Sequence, residues 1–210
     1  MHQRTTYSRG AVWLHWMLAC LIIGMLVGGL LMAYLPEDNI SLRVQVYNWH
    51  KTIGLLILVL SLVRLGWRMT HIPPAPLPEL KTWEKHLSKF IHVLFYVFMI
   101  GMPLVGWALI STSKYPSFFF NWTKTSIPKL PFWRGAETTV KNDANAFLAQ
   151  THEVMAYIAI ALIGLHIAGA IKHHLAGQAI FERMLPALKA PGIKSPSIKA
   201  PTDKPAKDKA

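Results

Sequence analysis

Four stretches of nearly unbroken apolar residues, at about 11–35, 46–68, 90–110 and 148–172, stand between short polar segments. A bilayer's hydrocarbon core takes roughly 20 residues of helix per crossing, and each stretch meets that length. In lipid every unpaired backbone group costs several kcal/mol, so the stretches are predicted to be helices rather than strands with open edges. The expected fold class is all-α: an integral membrane four-helix bundle forming one domain over residues 1–185. No small-residue cleavage site lies between the first stretch and Pro36-Glu37-Asp38, and its apolar run is too long for a signal peptide, so it is expected to remain a span.

The connections differ in character. Ile72-Pro73-Pro74-Ala75-Pro76-Leu77-Pro78 favours extended backbone and is expected to form a stiff spacer between the second and third spans. Between Ser111 and Phe147 the chain carries Tyr115, Phe118, Phe119, Phe120, Trp122, Phe132 and Trp133 among lysines, a composition that settles at the headgroup level. An interfacial anchor is the expectation there, with a lid over a site beneath as the other reading. Residues 186–210 alternate prolines with Lys189, Lys194, Lys199, Lys204, Lys207 and Lys209; a disordered cytoplasmic tail touching anionic lipid is expected.

The composition, 52% apolar and 15% charged, agrees with lipid as the main solvent. A net charge of +12 on a soluble surface would point to nucleic acid, but its distribution points to topology instead. With four spans, 15 of the 22 Lys and Arg fall on the side that holds both termini, which places the termini in the cytoplasm and makes membrane lipids, not nucleic acid, the expected partners. Cys20 stands alone in mid-span, so neither a disulfide framework nor a thiolate cluster is available.

Ten histidines remain, and depth separates them. Ionisable side chains inside a span are costly and usually functional. His15 and His166 belong to the inner half of the first and fourth helices, while His50 and His152 belong to the outer half of the second and fourth. His152 and His166 are 14 residues apart, close to four helical turns, so they project from nearly one face about 21 Å apart. No Asp, Glu or Cys is spaced to complete a tetrahedral zinc site with them, and paired axial imidazoles suit a haem. The residue four positions after each is small (Ala19, Gly54, Ala156, Ala170), which leaves room for a flat macrocycle; Phe90 and Tyr96 hold the same places after His86 and His92. His92 is the rival ligand, with a hydrogen bond to a propionate or quinone as its expected role. Arg64, 14 residues after His50, and His173 and His174 at the inner edge are further candidates for propionate or quinone contacts.

The segments Tyr7-Ser8-Arg9, Leu14-His15-Trp16, Trp49-His50-Lys51, Val63-Arg64-Leu65, Pro103-Leu104-Val105-Gly106, His152-Glu153, Gly164-Leu165-His166 and His173-His174 together resemble the bacterial cytochrome b561 family, over roughly residues 6–186. The resemblance implies a four-helix protein of the inner membrane with two haems b, ligated at His15, His50, His152 and His166, that exchanges electrons with the ubiquinone pool. The basic stretch after Pro186 and the long outer connection depart from the family pattern.

Two filled axial positions leave iron no vacancy for oxygen or substrate, so single-electron transfer is expected rather than oxygen activation. The outer connection has five Lys or Arg against Glu137 and Asp143, which would draw a small anion such as superoxide; a periplasmic redox protein is the other expected donor. Competing classes are a haem-bearing anchor subunit of a larger dehydrogenase or hydrogenase, and a metal or haem transporter.

Overall fold

The computed structural model describes residues 6–76, 80–178 and 180–184, and among them the long elements are all helices. They are α1 (Arg9–Met32), α2 (Ile40–Thr70), α3 (Thr82–Thr112) and α4 (Thr138–Leu175), followed by a short α5 (Ile180–Met184). Each of the first four is long and apolar enough to cross a membrane. The stretch at 186–210, expected to be a disordered tail, lies outside the described residues.

Three helices outrun their apolar windows because hydropathy marks the hydrocarbon, whereas hydrogen bonding marks the helix. α2 begins at Ile40, where Asn39 Oδ1 accepts the Leu42 amide at 3.0 Å. α3 begins at Thr82, where Glu84 Oε2 reaches back to the Lys81 amide at 3.0 Å. α1 does the opposite and stops at Met32, short of residue 35. Leu35 precedes Pro36 and is biased away from helical backbone, and the amides of Ala33, Tyr34 and Leu35 tighten onto carbonyls three residues back.

The helices pack in chain order: α1 on α2, α2 on α3, α3 on α4. Few side chains are buried. Among the described residues the buried apolar ones are Leu18, Ile57, Leu58, Ile127, Ala159 and Leu162, whereas large residues such as Trp13, Val59, Val97 and Leu165 are exposed along the helices. Such a surface suits lipid, and it leaves the middle of the bundle unfilled. A cavity of about 1640 Å³ runs there, lined from all four long helices and α5.

One end of the bundle, the terminal end, holds the start of α1 and the close of α4; the other, the loop end, holds the segment between α3 and α4. Gly177, at φ +75°, terminates α4 and turns the chain back. The chain then returns across the terminal end, where Trp16 Nε1 donates to the Met184 carbonyl at 3.0 Å and Arg183 donates to the Ala75 carbonyl at 2.9 Å.

At the loop end, the segment after α3 is folded onto α2. Asn48, buried, donates to Asn121 Oδ1 at 3.0 Å and accepts the Phe118 amide at 3.3 Å; Thr52 Oγ1 accepts the Phe120 amide at 3.0 Å. Phe120 and Asn121 hold left-handed backbone (φ +46° and +65°) within a 3-10 turn, Phe119–Asn121, and Trp49 packs edge-on to Phe120. The segment divides in two. Its Ser117 to Ile127 portion caps α2, while Tyr115, Trp122 and Phe132 stay exposed as interfacial rings would.

Candidate functional site

Antiparallel α1 and α4 bring His15 and His166 together near the terminal end. Their ring centroids are 6.3 Å apart with planes at 73°. Nearer the loop end, His50 of α2 faces His152 of α4 at 6.2 Å and 71°. All four rings line the central cavity, as do Ala19, Gly54, Ala156 and Ala170. In each pair the rings stand apart without touching, and the two gaps are nearly identical.

Backbone positions without a side chain frame the loop-end pair. A Cβ on Gly106 would lie 3.3 Å from His152 Cε1, so α3 holds that ring against bare backbone. Gly29 of α1 lies similarly against His50, with a hypothetical Cβ 3.6 Å from its Cε1. His152 Nδ1 is buried, with the Met102 backbone of α3 beside it. Beside His50, Lys51 Nζ donates to Ser117 Oγ at 2.9 Å, tying the cap to the site.

The terminal-end pair has more polar company. His92 of α3 stands edge-on to His166 at 5.8 Å and 89°, and Phe95 packs on the same ring at 5.2 Å. The Ser88 carbonyl lies 2.6 Å from His92 Nδ1, so that nitrogen carries the hydrogen and Nε2 is left as the acceptor. Arg64 lines the cavity close enough to His15, His92 and His166 to interact electrostatically, and its Nη1 is buried with no partner. A guanidinium donor left unpaired in a cavity is costly unless an acceptor occupies the space.

Of the other expected contacts, His173 lines the cavity at its terminal mouth, whereas His174 is exposed and does not line it. His71 and His86 also line that mouth, with His71 stacked flat on Trp67 at 4.2 Å. Lys172, one of the basic residues at the end of α4, is held by Glu84 at 2.8 Å. Sequence reasoning gave no site role to Gly106, although it stood in a recognised motif; its signal is apparent only once the facing helix is known.

Among the described residues, no three His, Cys, Asp or Glu side chains converge as a metal cluster. The chemistry on offer is therefore facing imidazole pairs in an apolar cavity inside a four-helix membrane bundle, a class of site suited to a flat metal-bearing cofactor.

The prokaryotic cytochrome b561 family matches residues 6–187, and the chain belongs to it. It is similar to "Cytochrome b561 homolog 1" of Escherichia coli (strain K12), 23% identical over 184 residues that cover 87% of this chain and 98% of that protein. "Cytochrome b561 homolog 2" of the same organism is 25% identical over 160 residues, covering 76% and 80%. The chain is thus a multi-pass membrane protein of haem-based electron transfer, and haem b is the cofactor its family uses.

Proposed function

We propose that the chain binds two haems b, one between His15 and His166 and one between His50 and His152, and carries electrons across the bilayer to or from ubiquinone. The ring separations carry this reading. Imidazole nitrogens at roughly 2.0–2.1 Å on opposite sides of one metal, with roughly 1.1 Å more to each ring centre, put the centroids about 6.2–6.4 Å apart. The two pairs stand at 6.3 and 6.2 Å. A cavity of about 1640 Å³ also exceeds the roughly 300–1,000 Å³ of an ordinary single-ligand pocket.

Haem b held between these imidazoles would supply one-electron exchange. The chain's own residues set the rest. Gly106 lets α3 approach the His152 imidazole closely. Arg64 offers its unpaired N–H to a propionate carboxylate or a quinone oxygen, and His92 presents Nε2 beside it. His173 lines the terminal mouth and offers a polar contact there, with the exposed His174 next to it in the chain.

Reduction of a quinone to a quinol takes two electrons and two protons. Superoxide gives one electron and leaves as dioxygen, so two superoxide anions would balance one quinol. The net positive loop-end segment favours such an anion as donor, with a periplasmic redox protein as the other candidate. In this reading the protein lies in the bacterial inner membrane with both termini cytoplasmic.

The test is haem stoichiometry by pyridine haemochrome on the purified protein and on His15→Ala, His50→Ala, His152→Ala and His166→Ala. Two haems are expected in the parent and one in each variant. The spectra should group as His15 with His166 and His50 with His152; any other grouping rejects the pairing.

A further inference from the structure

At the loop end a second cavity, of about 710 Å³, lies between the end of α3, the Pro131–Trp133 turn and the start of α4. None of its lining residues lines the central cavity. Lys114, Lys129, Arg134 and Lys141 stand in its wall and no carboxylate does. Lys129 is held by the Ser113 carbonyl and Lys114 lies over the Tyr115 ring at 5.2 Å, but the Arg134 and Lys141 side chains have no hydrogen bond or ion pair among the described residues.

Two further donors in the same wall lack acceptors. Trp133 Nε1 is buried with no partner, and an indole nitrogen can only donate. Thr138 opens α4, whose cap residue Glu137 makes no side-chain bond and whose first turn holds no acid. The positive end of this 38-residue helix opens beside the pocket, and its cap residue Glu137 leaves the first-turn amides without a side-chain bond. Four cations, the Trp133 indole and the start of α4 border one space, and together they suit an anion with several oxygens. Exposed Phe132, Val140 and Phe147 nearby in the chain offer apolar surface for attached acyl chains.

We propose that this pocket binds a phosphate group, and that the group is the phosphodiester of an anionic phospholipid. The site is independent of haem ligation.

The test uses the full chain in phosphatidylcholine nanodiscs with and without phosphatidylglycerol, read by native mass spectrometry after mild extraction. One phosphatidylglycerol should stay on the parent. Arg134→Gln with Lys141→Gln should retain it at least about tenfold less, and Trp133→Phe, which removes one donor and keeps the ring, about three- to tenfold less. Far-UV circular dichroism checks that each variant is folded. Inorganic phosphate is titrated against protein in phosphatidylcholine alone, with the difference in tryptophan emission between parent and Trp133→Phe as readout. Saturation by inorganic phosphate without retained lipid would overturn the lipid source. Equal lipid retention by every variant, with no response to phosphate, would overturn the site.

Discussion

Replacing Gly106 by Ala puts a methyl group where the His152 ring already stands. Its Cβ would lie 3.3 Å from Cε1 and 3.6 Å from Nδ1, whereas carbon atoms in good contact sit about 3.5–4.0 Å apart. The ring must retreat from α3 by a few tenths of an ångström, into the 6.2 Å gap that separates it from His50. Overpacking a well-fitted site costs about 1–3 kcal/mol, and one methyl group with so small a conflict belongs near the lower end. About 1.4 kcal/mol is tenfold in affinity. Gly29→Ala is the matched control. Its Cβ would meet His50 Cε1 at 3.6 Å, an ordinary contact, and both substitutions gain the same helix propensity, so their difference isolates the ring conflict. Transfer of haem to excess apomyoglobin, followed by absorbance, should show one haem of Gly106→Ala leaving about five- to tenfold faster and the other unchanged. Gly29→Ala should match the parent. Equal behaviour of the two variants would refute this account of the glycine.

Three other outcomes are expected. Asn48→Ala removes two of the bonds that seat the loop-end segment, at a cost of about 1–3 kcal/mol, and should expose Lys124 to faster tryptic cleavage without loss of helicity. Gly10→Ala drives a Cβ to 2.7 Å from Trp67 Cζ2, while Gly24→Ala enters open space, so thermal unfolding in detergent should fall by about 1–3 kcal/mol for the first only. Arg64→Met takes a positive charge from beside His15 and His166, which should lower one haem midpoint potential by on the order of tens of millivolts in a redox titration and spare the other.

The helices were legible because lipid imposes one rule on every span, and the long apolar runs of α1 to α4 state it without ambiguity. Their ends were not, since Asn39 and Glu84 extend helices through polar sequence that hydropathy cannot see. The two histidine pairs were legible for a related reason: helix direction and the 14-residue interval set depth, and depth chose partners. The loop-end segment was less so. Its aromatic residues announced an interface, but its fold depends on Asn48 and Thr52, two polar residues on a distant helix that only tertiary structure brings within reach. Gly106 escaped notice because a missing side chain has meaning only against the ring that fills its place.

α4 contributes one imidazole to each pair, and α5 lines the cavity after it. During synthesis His15 and His50 therefore enter the membrane long before either has a counterpart. Each waits as a solitary imidazole until more than a hundred further residues have left the ribosome. In the proposed reading, capture of a cofactor by both imidazoles of a pair is thus postponed until α4 is made, and a chain truncated before residue 152 would reach the membrane with neither pair complete.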